Sequence, residues 1–185
     1  MKQKNSQWTE AVKPLLKECG KWALILICVL YLVPNFIVQR TLIDGSSMEN
    51  TFMHGDQILV EKVTKYIMEY DRFDIIVFEP KYEAAEGQYI KRIIGLPGET
   101  VQIIDGQIYI NGEVLTEQFG KDPIVYAGVA AEPITVGPKE YFVLGDNREV
   151  SLDSRYEVVG PVSHAQIEGK VLLQIYPFSK FGTVE

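Results

Sequence analysis

The chain has 185 residues, 46% of them hydrophobic, which suits one domain with an appendage. Its formal net charge is −7, unevenly spread: Lys2, Lys4, Lys13, Lys17 and Lys21 against Glu10 and Glu18 give residues 1–21 a net +3, leaving −10 for the remainder. An acidic body of this kind repels phosphate, which argues against a nucleic-acid partner.

Trp22 to Val38, WALILICVLYLVPNFIV, carries no ionisable acid or base. At 1.5 Å per residue it spans about 26 Å, close to the hydrocarbon thickness of a bilayer. We therefore read residues 1–21 as a basic cytoplasmic N-terminus, 22–38 as one transmembrane helix contacting membrane lipid, and 41–185 as an extracytoplasmic domain. The lysines before the span set that orientation. Pro34 and Asn35 weaken the last third of the helix, so a kink or an early end is expected. Gln39 to Ile43 offers no small-residue cleavage site of the secretory type. Both cysteines, Cys19 and Cys28, precede residue 41, so the domain must be stable without a disulfide.

From Thr41 onward, short β-like runs alternate with turn signals. Strands are expected at 57–60, 73–78, 89–94, 100–104, 107–110, 141–144 and 170–175, with a little helix at 64–69. Asp105-Gly106 and Asn111-Gly112 predict two-residue hairpin turns. Thr116 to Glu132 mixes Gly, Pro, Ala and charges and reads as an excursion from the sheets. The fold expected is mainly β: an antiparallel barrel or two packed sheets, behind one N-terminal transmembrane helix.

Three stretches could carry chemistry. Tyr89 to Glu99, YIKRIIGLPGE, places two basic residues in an apolar strand. Side chains alternate along a strand, so Lys91 and Arg92 face opposite ways; we expect Lys91 inward and Arg92 toward water. A buried lysine resists protonation and serves as a general base, whereas one on a sheet edge would merely snorkel. Asp44 to Phe52, DGSSMENTF, is a serine-bearing loop just past the span. If it meets Lys91, a serine–lysine dyad results. Gly145 to Arg155, GDNREVSLDSR, leaves the end of a strand; Asp146 and Asp153 are expected to pair with Arg148 and Arg155, and Ser151 or Ser154 to orient an amine. His54 and His164 stand apart from any metal-ligand spacing, so no metal or cofactor is expected.

Together the anchor, Ser-Met-x-x-Thr, Arg-x-Asp-Ile, Lys-Arg-Ile-Ile-Gly-Leu-Pro-Gly-Glu and Gly-Asp-Asn-Arg-x-x-Ser-x-Asp-Ser-Arg resemble the type I signal peptidases, especially the single-span Gram-positive form. The resemblance covers nearly the whole chain. It implies a serine endopeptidase acting on exported preproteins with signal peptides, with Ser47 as nucleophile and Lys91 as general base. It further implies Ser151 as hydrogen-bond partner of the Lys91 amine, Asp153 and Arg155 as a structural pair, and Asp146 and Arg148 in the same shell. The Ser47 N–H would face the oxyanion; Gly45 fills the place where some relatives supply a second donor. Two departures stand out: Asn50 replaces the family's usual proline, and Phe73 its glycine. Neither touches a proton-transfer group, so activity is expected.

Three rivals compete with this reading. A self-cleaving repressor would show a DNA-binding helix pair and a cleavable link, and the anchor and acidic body oppose both. A non-catalytic anchored β module binding a secretion partner has no reason to keep both Ser47 and Lys91. A Ser-His-Asp hydrolase would need His54 or His164 at the nucleophile.

Overall fold

The structure, a computed structural model, describes residues 2–83 and 87–184, with side chains from residue 12 onward. It divides into two compact units, 1–39 and 40–185. In the first, helix α1 (Lys2–Ile27) starts well before the apolar run and passes into a π-helical stretch, Cys28–Ile37. Pro34 has no N–H for an α-helical ladder, and the Asn35 side chain donates to Tyr31 O at 2.6 Å. The helix therefore widens at the weak third instead of stopping there. Val12–Ile37 is long and apolar enough to cross a membrane, and its side chains are exposed all round, as lipid contact requires.

The second unit is antiparallel β. Its strands are β1 (Val38–Leu42, of which residues 40–42 fall in this unit), β2 (Gln57–Glu61), β3 (Ile75–Phe78), β4 (Tyr89–Gly95), β5 (Thr100–Ile104), β6 (Gln107–Ile110), β7 (Glu113–Val114), β8 (Ile134–Thr135), β9 (Glu140–Leu144), β10 (Val162–Ser163) and β11 (Ile167–Tyr176). They form a seven-stranded sheet, β1-β2-β11-β3-β4-β9-β10, and a four-stranded one, β7-β6-β5-β8. Of the two architectures expected, this is the two-sheet form. Both hairpin dipeptides turn as expected: Asp105 and Gly106 have φ of 49° and 78°, Asn111 and Gly112 of 54° and 85°. The short helix, α2, covers only Thr64–Ile67.

Three apolar clusters fill the unit, and the central strands of the larger sheet feed more than one of them. Ile75 and Val77 of β3 pack with Met48, Phe52 and Ile58, while Ile76 and Phe78 pack with Ile93, Tyr141 and Val143. Phe142 and Leu144 of β9 turn the other way, onto Val101 and Ile108 of the smaller sheet. Strand β4 is paired along its edges by β3 and β9, apolar clusters cover its two faces at Ile93 and Ile94, and Lys91 to Gly95 are all buried. At its end the backbone comes so close to β5 that a Cβ on Gly95 would sit 2.4 Å from Val101 Cγ2 and 3.0 Å from Phe142 Cβ. Arg72 and Glu99 brace the turn that follows: Arg72 Nη1 donates to Glu99 at 2.9 Å, and Leu96 N to the same carboxylate at 2.7 Å. Burial disfavours the charged form of Glu99, but these bonds and the Arg72 charge outweigh it and hold its pKa low.

Gly95→Ala should lower stability by about 1–3 kcal/mol through overpacking. Chemical denaturation of the two proteins would measure it, and equal midpoints would contradict the close approach.

Candidate active site

The nucleophile candidate lies on a turn pinned by core residues. Glu49 N donates to Ser46 O at 3.1 Å and Phe52 N to Met48 O at 2.8 Å. Met48 and Phe52 are buried beside Ile43, so the apolar flanks of the turn fix Ser47 between them. Strand β4 brings Lys91 to it: Lys91 Nζ lies 2.9 Å from Ser47 Oγ and 2.9 Å from Ile90 O. The Tyr89 ring sits 5.2 Å from the same nitrogen. Burial, and then a hydrogen bond with the Tyr82 hydroxyl, hold the Tyr89 phenol up at about 12, so it stays neutral below that pH. Ser47 and Lys91 line an open groove of about 470 Å³, walled by Ile43, Ile90, Val150 and Leu152.

Lys91 is only 3% exposed. Burial pulls its pKa down to about 8, and the Arg155 charge adds to the effect; Asp153 and Asp146 oppose it. Neither carboxylate is free to capture the amine. Asp153 is bound by Arg155 through Nε at 2.8 Å and Nη2 at 2.9 Å, and by Gly145 N at 3.1 Å. Asp146 is held by Arg92 through Nε at 3.0 Å and Nη2 at 2.8 Å, and by the Thr51 hydroxyl.

These pairings correct several expectations. Arg92 does not reach water: it is 1% exposed, because a strand with both faces covered has no wet side. Asp146 pairs with this arginine from β4 and not with Arg148, which instead donates to Glu117 at 2.8 Å. Only Asp153–Arg155 pairs within its own loop as expected. The Ser151 hydroxyl is buried with no hydrogen-bond partner among the described residues, so the expected bond to Lys91 is not formed; Lys91 Nζ donates to the Ile90 carbonyl instead. Ser154 Oγ accepts from Val143 N at 2.9 Å and faces strand β9, not the amine. Sequence reasoning also missed Glu117 and Asn147, whose backbone N donates to Ser47 O at 3.0 Å. No local pattern announces such long-range contacts.

Both departures from the family pattern lie at unusual backbone angles. Asn50 has a φ of 103°, which proline cannot adopt, and its side chain donates to Phe119 O at 3.0 Å. The turn here follows a path made for asparagine, so a proline would add a clash and not merely a restraint. Phe73 has a φ of 75°, where a glycine would be free of strain; its ring packs on Phe119 at 5.0 Å between centroids.

The histidines stand elsewhere. His164 packs against Tyr70 and Tyr141. His54 accepts from Gly45 N at 3.3 Å, and neither histidine has a hydrogen bond to Ser47 among the described residues.

A serine hydroxyl held against a buried amine beside an open groove is suited to acyl transfer. The family model described as "Signal peptidase, peptidase S26" matches residues 16–176. Signal peptidase I S of Bacillus subtilis is 35% identical over 91% of this chain and 93% of its own length. Signal peptidase I T of the same organism is 35% identical over 88% of this chain and 86% of its own. A solved structure of a signal peptidase I from Enterococcus faecalis is 38% identical, covering 56% of this chain and 97% of that one, with a TM-score of 0.46. The chain belongs to the signal peptidase, peptidase S26, family, a family of serine peptidases.

Two predictions follow from this geometry. Below pH 8 the fold holds a protonated Lys91 it disfavours by about 3 kcal/mol, a cost relieved as pH rises from about 8 toward the unfolded value near 10.4. Lys91→Met should therefore stabilise the protein by about 1–3 kcal/mol below pH 8, the gain shrinking toward pH 10, in denaturant melts across that range. Asn50→Pro should cost more than about 1 kcal/mol in the same melts, since it imposes an incompatible φ.

Proposed function

We propose that this chain is a membrane-anchored signal peptidase that cleaves exported preproteins through a Ser47 nucleophile and a Lys91 general base. The observation that carries the reading is the 2.9 Å contact between Lys91 Nζ and Ser47 Oγ, with the amine's pKa lowered by burial to about 8. Near neutral pH a usable fraction of Lys91 is neutral, and its lone pair accepts the Ser47 proton as the oxygen attacks the scissile carbonyl. The resulting ammonium passes that proton to the departing amine. An acyl-enzyme remains, and a water deprotonated by Lys91 releases it.

Ser47 N–H has no acceptor among the described residues and is assigned to the oxyanion. Gly45 N–H is turned to His54 Nδ1 at 3.3 Å, which leaves the second donor unassigned. Ser151 is assigned as a reserve acceptor for the Lys91 ammonium once Ser47 is acylated. Arg155 and Asp153 support the loop that carries it, with Arg148 and Asp146 beside them.

The substrate is a preprotein whose signal sequence lies in the same bilayer. It enters as an added strand between residues 41–44, ahead of the turn that carries Ser47, and residues 89–91 of β4, both of which line the groove. Small residues are expected at the first and third positions before the cut, as the family resemblance implies. The basic N-terminus places residues 1–21 on the cytoplasmic side and the acidic domain outside, without a nucleic-acid partner.

The purified full-length protein, in detergent with a preprotein, should cut after the signal sequence when products are mapped by mass. Ser47→Ala and Lys91→Ala should each abolish cleavage with the domain still folded. His164→Ala should cut at close to the parental rate. Cleavage retained by Lys91→Ala would sink the dyad, and loss in His164→Ala alone would favour a histidine-based triad.

A further inference from the structure

The segment 117–121 enters none of the chemistry above, yet it touches both halves of the site. Glu117 accepts from Arg148 at 2.8 Å. Lys121 N donates to Asp146 O at 2.8 Å, and Lys121 Nζ lies 3.1 Å from Glu49 Oε2 on the nucleophile turn. Between them, Phe119 O accepts from Asn50 on that turn at 3.0 Å. The Phe119 ring covers the Arg92 guanidinium at 3.8 Å on one side and meets Phe73 at 5.0 Å on the other. Arg92 follows Lys91 directly along β4 and holds Asp146 in a two-point grip.

Both positions at which this chain departs from the family pattern, Asn50 and Phe73, thus make contact with Phe119. Each adopts a positive φ that only surrounding structure can hold in a non-glycine residue. We infer that Phe119 is a positioning residue for the reaction: it clamps Arg92 and the Asn50 turn so that Ser47 and Lys91 stay in register. It does not line the groove, so it sets geometry at the reacting atoms and not substrate affinity. A flat ring desolvates and stacks on a planar guanidinium in a way that an aliphatic side chain of similar volume does not.

The inference rests on the Ser47–Lys91 reading. The test is steady-state cleavage of a preprotein by the full-length protein, comparing Phe119→Leu and Phe119→Tyr with the parent, each variant first shown by circular dichroism to be folded. Phe119→Leu should lower kcat roughly tenfold, with KM within about twofold, as small misplacements of reacting groups do. Phe119→Tyr should restore kcat. The groups around Lys91 are Tyr89 and Arg92 from its own strand and Asp146, Asp153 and Arg155 from the loop after β9. A loosened Arg92 frees the Asp146 charge to favour the ammonium, so the acid limb of kcat/KM in Phe119→Leu should move to higher pH. Unchanged kcat and an unmoved limb in folded Phe119→Leu would overturn the inference, as would a loss in KM alone. If Phe119→Leu does not fold, Asn50→Ala, which releases the same carbonyl, should show the kcat loss, and its absence would be equally fatal. A parent protein that leaves the preprotein uncut, or a Ser47→Ala variant that still cuts it, would instead overturn the peptidase reading itself and the inference with it.

Discussion

The site depends on one electrostatic constraint: a lysine amine must be removed from water without being handed to a carboxylate. Removal from water is achieved by topology. Strand β4 is flanked by β3 and β9, and apolar clusters cover both its faces. Withholding the carboxylates is achieved by arginines. Asp146 and Asp153 both lie near enough to pull the amine toward its charged form, and each is held by a guanidinium that arrives first. The three buried arginines, 92, 148 and 155, each satisfy backbone carbonyls as well as carboxylates, which makes such deeply buried charge tolerable.

The same arrangement explains why a surface-like excursion belongs to the core of the site. Buried guanidinium groups have more donors than a single carboxylate can use, and the remaining ones have to find acceptors. Segment 117–131 supplies several of them: Glu117 for Arg148, Tyr126 O for Arg155 and the aromatic face of Phe119 for Arg92. Val129 N returns a bond to Arg155 O at 2.9 Å. The excursion is thus tied down by polar bonds as well as by Ile124 and Ala130, which are buried in the apolar core.

Much of this was legible in the sequence wherever the cause was local. Two-residue turns, the longer strands to within a few residues, and the Asp153–Arg155 pair are short-range facts and stand close to where the pattern put them, whereas β1, β7, β8 and β10 were not foreseen. Lys91 could be singled out because a lysine within an apolar strand is unusual, whereas a serine-bearing loop is commonplace and Ser47 stood out only through the resemblance to the type I signal peptidases. Arg92 was misplaced because alternation says only that neighbours face opposite ways; it does not say that both sides are covered. The partner of Asp146 was misplaced for a related reason: it lies 54 residues away, and a pairing guess confined to one loop could not find it. The helix, too, extends beyond its apolar run, since helix propensity and hydropathy need not end together.

Gly145 carries a consequence of another kind. A Cβ there would lie 2.2 Å from Ser151 Oγ and 2.5 Å from Ser47 O, so the turn carrying Ser47 and the loop after β9 meet with less than a methyl group between them. Two segments almost a hundred residues apart therefore share one backbone gap, and neither can drift in shape without the other. In any recombination among relatives they would have to travel as a matched set. A chimera that exchanged only one of them would inherit a mismatch at the candidate active site, however well each half folded.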